Sequence, residues 1–155
     1  MQPTPLDAYS LALRRLSIRE YGQAELKRYL KKKGIPTEEA DRAIQKLLVD
    51  GILNEQRYIL AVIRSQTTRG KGPAYIRQKL QEKGVSVSTK EIQSLMSGAL
   101  AEDETEMIRK LIDRRYPGAY EDSKAYYRAF QALLRRGFSP STIQKVLRLK
   151  NSERI

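Results

Sequence analysis

The chain has 155 residues, and 30 Lys plus Arg stand against 18 Asp plus Glu, a formal net charge of +12. It contains no Cys, His or Trp. Those absences exclude disulfides, thiolate nucleophiles, sulfur metal sites and any Ser-His-Asp triad, leaving carboxylates, Lys, Ser and Tyr for chemistry.

A charge excess of this size draws a small protein toward polyanions. Hydrophobic residues at 40% are enough for a folded core. No apolar run approaches the length needed to span a bilayer. The opening MQPTPLDAYS lacks the basic start and apolar stretch of a signal peptide. The expectation is a cytoplasmic protein, with no cofactor and no metal.

Helical periodicity dominates. Leu6, Tyr9, Leu13 and Leu16 fall at spacings of three and four and predict one buried helical face. Thr4 before Pro5 reads as its N-cap, with Asp7 as an early acid. A second helix is expected from Gln23 to about Lys33, stopping at Gly34, and a third carries Ala40, Ala43, Ile44, Leu47 and Leu48 up to Asp50-Gly51.

The pattern then repeats. Asn54 can cap a helix bearing Tyr58, Ala61, Val62 and Ile63. Arg69-Gly70-Lys71-Gly72-Pro73 breaks it, and Pro73 suits the first turn of the next helix, which holds Ile76 and Leu80 and stops at Gly84. Ser88 through Glu91 spells a capping box ahead of Ile92, Leu95, Met96 and Ala99. A third round places Met107, Ile108, Leu111 and Ile112 before a break at Tyr116-Pro117-Gly118. Tyr126, Tyr127, Phe130, Leu133 and Leu134 follow, then the stop at Gly137, then a last helix from Ser139-Pro140 with Ile143, Val146 and Leu147.

The turn glycines Gly34, Gly84 and Gly137 lie 50 and 53 residues apart, so the repeating unit is a helical module of that length. The expected architecture is all-α, an elongated tandem array of three three-helix modules at residues 1–53, 54–101 and 102–155. Units this small bury too little surface to stand well alone and should lean on one another.

The charge is unevenly placed. Residues 124–150 hold seven basic residues and no acid, and residues 64–90 hold seven with only Glu82 opposing them. Lys27, Arg28, Lys31 and Lys32 form i,i+4 pairs of like charge, each costing a few tenths of a kcal/mol in an isolated helix. Such a stripe is either a merely solvated face or the seat of an anionic partner, and its repetition over three modules favours the partner. Glycines beside basic residues at 69–73 can present backbone N–H groups to an anion or simply make a tight turn; the local sequence favours the turn, and P-loop spacing is absent. The acids Glu102, Asp103, Glu104 and Glu106 cluster at one junction, read as a boundary or hinge with a solvated helix start. The nine Tyr are read mainly as half-buried packing.

The residues Ala12-Leu13-Arg14-Arg15-Leu16, Arg19-Glu20-Tyr21, Glu25-Leu26 and Leu30 to Gly34 form a recognisable opening. More specific are Gly51-Ile52-Leu53-Asn54-Glu55-Gln56-Arg57-Tyr58, Arg64-Ser65, Gly70-Lys71-Gly72-Pro73, Ile76-Arg77, Leu80 and Lys83-Gly84-Val85. Arg135-Arg136-Gly137-Phe138-Ser139 with Ile143 completes the set. With these the chain resembles the RecX family of bacterial RecA regulators over nearly its whole length. It departs at Gly22, where a Ser cap is usual, and at Ile35-Pro36-Thr37, where a more acidic helix start is usual.

The resemblance implies tandem three-helix modules that bind RecA on single-stranded DNA along the filament groove. It implies a block of filament growth, ATP hydrolysis, strand exchange and co-protease activity, with no catalytic residues. The expected partners are RecA and the RecA–single-stranded DNA filament, with direct DNA binding and a monomeric chain. On charge alone, the expected contacts are Lys27, Arg28, Lys31 and Lys32; Arg69, Lys71, Arg77 and Lys79; and Arg128, Arg135, Arg136 and Arg148. Gly34, Gly72, Pro73, Gly84 and Gly137 are expected to shape turns. Two other readings are a tandem helical protein acting mainly on naked DNA and a carboxylate-based helical nuclease or nucleotide hydrolase.

Overall fold

A computed structural model describes residues 7–101 and 103–152. Every regular element among them is helical. Three helices come first, α1 (Ala8–Leu16), α2 (Gln23–Lys32) and α3 (Thr37–Val49). Three more follow, α4 (Glu55–Thr68), α5 (Pro73–Glu82) and α6 (Thr89–Gly98). The last are α7 (Glu104–Arg115), α8 (Ser123–Arg135) and α9 (Pro140–Ser152), with a 3-10 turn at Pro117–Tyr120 where the sequence pattern predicts only a break. Thr4, Pro5, Leu6 and Glu102 lie outside the described residues.

Contacts group the described residues into two compact units. The first comprises those up to Ala61 together with Glu82–Val85. Its core gathers Tyr21, Leu26, Leu30, Ile44, Leu47 and Leu53 around four alanines, Ala8, Ala12, Ala40 and Ala43. Helix α1 packs on α3, and both contribute buried alanines, small side chains that leave room for close packing. The buried line of α1 therefore follows Ala8 and Ala12. Tyr9 and Leu16 flank it half-buried, and Leu13, expected inside, is 41% exposed. Asp7 is not an early acid but the N-cap itself, accepting from the Ser10 N–H at 2.8 Å, which holds its carboxyl below the ordinary value.

The second unit comprises Val62–Gln81 and the described residues from Ser86 onward. Its buried residues include Ile76, Leu80, Ile92, Met96, Ile108, Ile112, Leu133 and Ile143. Helix α9 packs on α7 and α8, and the 3-10 turn, with Ala119 buried, packs on all three.

Three faces are rotated slightly from expectation. In α4, Ile59 and Ile63 are buried beside Tyr58, while Ala61 and Val62 are half-buried. Ala99, expected inside, is the exposed C-cap of α6. In α8 the buried line runs through Ala129 and Leu133; Phe130 stacks on Tyr126 at 6.2 Å between ring centres, and Tyr127 is 66% exposed.

The helix ends follow the turn glycines. At Gly34 (φ +85°) the Ile35 N–H donates to the Leu30 carbonyl and the Gly34 N–H to that of Lys31. These are the two bonds of a Schellman cap, which needs a left-handed residue after the helix. The same pair forms at Gly137, from Phe138 to Leu133 and from Gly137 to Leu134. Gly84 has a different reason as well: a Cβ there would stand 2.8 Å from that of Ala24.

A basic cleft and two basic helix faces

Helix α2 starts at Gly22 without a side-chain cap of its own. Glu55, from the start of α4, supplies one: its carboxylate accepts from the Gln23 N–H at 3.3 Å and from Gln23 Nε2 at 3.2 Å. Gly22 leaves room for this, since a Cβ would meet the Tyr58 ring at 2.9 Å and Glu55 Oε1 at 3.2 Å. The missing Ser is thus replaced by a carboxylate from another helix. Beside it, Glu25 pairs with Arg19, lies 3.9 Å from Lys83 Nζ and accepts from the Tyr58 hydroxyl at 3.1 Å.

The α2 stripe divides. Arg28, Lys31 and Lys32 are exposed, whereas Lys27 is half-buried and paired with Asp41 at 2.8 Å. One of its four charges therefore has its anionic partner within the chain.

At residues 69–73 the chain makes a tight turn, and its N–H groups are spent. The Gly72 N–H donates to the Arg136 carbonyl at 2.7 Å, and the Ala74 N–H to that of Gly137 at 3.0 Å. A Cβ on Gly72 would lie 2.7 Å from the Gly137 backbone, and one on Gly137 (φ +92°) would lie 2.3 Å from Tyr75 N. Pro73 opens α5 and is buried. Two backbones lie in contact here, so these amides are not open to an anion.

Lys71 and Lys79 share the Tyr75 ring, their ammonium nitrogens 4.6 and 5.5 Å from its centre. Arg77 is exposed on α5, Arg128 and Arg135 on α8, and Arg148 on α9.

Two predicted residues 67 positions apart, Arg69 and Arg136, come together within the second unit. They border an open cleft of about 320 Å³ with Lys110, Arg114 and Arg115 of α7, over Met107 and Leu111. Arg136 Nη1 donates to the Gly70 carbonyl at 3.3 Å, which fixes its guanidinium at the rim. Sequence reasoning misses the three α7 cations because Glu104, Glu106 and Asp113 dilute the local charge count. The Lys110–Arg114 i,i+4 pair repeats the like-charge pattern of α2 and is the available signal.

The acidic cluster has a structural role. Asp103 caps α7 by accepting from the Thr105 N–H, and Glu106 pairs with Arg109. Glu104, expected to be solvated, is instead half-buried and accepts from Gln93 Nε2 and the Ser139 N–H, both at 3.0 Å.

These elements define a class of protein built from successive three-helix domains. Family profiles match three of them in order: RecX first three-helix domain at residues 8–47, second at 54–89 and third at 102–147. The chain belongs to the RecX family. It is 33% identical to regulatory protein RecX of Trichlorobacter lovleyi over 92% of this chain and 94% of that one. It is 32% identical to that of Ectopseudomonas mendocina over 96% and 97%. A crystal structure of regulatory protein RecX superposes with a TM-score of 0.71 at 25% identity, covering 94% of this chain and 80% of that one. RecX from Lactobacillus salivarius shares the fold, with a TM-score of 0.71 at 23% identity over 91% and 92%. Among the described residues no helix is long and apolar enough to cross a membrane.

Proposed function

We propose that this chain is a negative modulator of the RecA recombinase. It binds the RecA–single-stranded DNA filament stoichiometrically, as a cytoplasmic monomer without catalytic residues. The modules at residues 1–53, 54–101 and 102–155 engage neighbouring protomers together, so that weak contacts gain avidity. Filament growth, ATP hydrolysis, strand exchange and co-protease activity are all reduced. The observation that carries this reading is family membership across all three helical domains. The exposed cations Arg28, Lys31 and Lys32 support it, since they suit an acidic target.

The test adds the protein to RecA on single-stranded DNA and follows ATP hydrolysis. Inhibition is expected at substoichiometric to equimolar amounts, and its absence overturns the reading. Salt separates the naked-DNA alternative. Pure phosphate binding weakens steeply and uniformly as salt rises, whereas filament binding should persist and require RecA.

A further inference from the structure

The cleft of the second unit gathers cations from three stretches of chain: Arg69 after α4, Lys110, Arg114 and Arg115 on α7, and Arg136 after α8. No acid lines it among the described residues. Arg69, Lys110, Arg114 and Arg115 have no ion-pair partner among the described residues either. Like charges placed around one space repel unless an anion enters it.

The floor narrows the choice of anion. Met107 and Leu111 are buried and apolar, and an inorganic ion makes no use of them. Four of the five cations are Arg, whose planar fork matches phosphate oxygens in pairs. A volume of about 320 Å³ stands at the small end of ligand clefts, the scale of one nucleotide unit. A nucleotide uses both features, its phosphate on the cations and its sugar and base against the floor.

We propose that this cleft binds a phosphodiester segment of single-stranded DNA, with a backbone phosphate held by Lys110, Arg114 and Arg136 and the attached nucleoside seated on Met107 and Leu111. The choice of single-stranded DNA rests on the filament reading above; the phosphate site stands on the cleft.

The experiment measures binding of the full chain to a labelled oligothymidylate by fluorescence anisotropy, without RecA, over a salt series. Lys110→Gln with Arg114→Gln should lower affinity about tenfold at low salt and flatten the salt slope by roughly 0.7 for each phosphate no longer neutralised. A control of equal charge, Lys90→Gln with Lys145→Gln, should do much less, and Lys110→Arg should retain binding. Circular dichroism melts check that these surface variants fold.

Equal losses in the cleft and control variants would mean diffuse attraction and overturn the site. Displacement of the oligonucleotide by millimolar ATP, abolished in the cleft variant, would make a free nucleotide the occupant and overturn the DNA assignment. If the cleft variant binds oligothymidylate like wild type but no longer inhibits RecA, the cleft meets protein and the inference falls while the filament reading survives. If wild type binds DNA through the cleft and leaves RecA unaffected, the filament reading falls and the site stands.

Discussion

Gly22 shows how one residue can carry two demands. A Ser at a helix N-cap ordinarily contributes only about a few tenths of a kcal/mol over Gly. Here its Cβ would press on the buried Tyr58 ring at 2.9 Å, and overpacking costs about 1–3 kcal/mol. Gly22→Ser should therefore destabilise the protein by about 1–2 kcal/mol in urea unfolding, and a gain in stability would contradict the packing argument. Tyr58 sets a pH dependence. Burial first, then the Glu25 carboxylate beside it, push its phenol above the ordinary 10.0. The native state keeps this proton where the unfolded chain releases it, so the contribution is complete below pH 10 and is lost as pH rises beyond it. Tyr58→Phe should cost about 1 kcal/mol at pH 7 through removal of the hydrogen bond. Its disadvantage should shrink at pH 11, read from unfolding at both pH values; a constant gap would exclude the linkage.

Among the elements, the α4–α5 and α8–α9 turns meet backbone to backbone in the second unit. The contact uses two backbone hydrogen bonds and two glycines that approach without side chains. Gly34 offers a matched comparison, since it has a similar positive φ but open space around it. Gly34→Ala should cost only the left-handed strain, about 1–2 kcal/mol. Gly137→Ala adds a clash with the Tyr75 backbone and should cost clearly more, about 3 kcal/mol or above. Similar losses for both in thermal unfolding would show that the interlock contributes little. This scale also separates what periodicity can reveal. Helix positions and stops are legible because glycines, prolines and apolar spacing act locally. The facing of α1 and α8 is not, because alanines at 8, 12 and 129 occupy the buried lines and carry a weaker hydrophobic signal than the leucines beside them.

For the whole molecule, charge placement governs the proposed activity. Lys31→Glu with Lys32→Glu reverses two exposed cations of α2 while leaving the Lys27–Asp41 pair in place. Inhibition of RecA ATP hydrolysis should fall severalfold with little change in stability, because surface charges contribute about 0–1 kcal/mol. Unchanged inhibition would remove the α2 stripe from the mechanism. Charge counting along the chain finds Arg69 and Arg136 but treats them as separate. It passes over Lys110, Arg114 and Arg115, which only the fold of the second unit sets beside them.

The sequence alone determined the basic excess, the absence of His and Cys, the helical succession and the family resemblance, since each depends on composition or on neighbours a few positions away. Tertiary structure decided which cations converge, which are already paired, and that the amides at Gly72 and Ala74 are spent on backbone carbonyls. Those outcomes depend on residues brought together from 14 to 67 positions apart, and no local pattern encodes such distances.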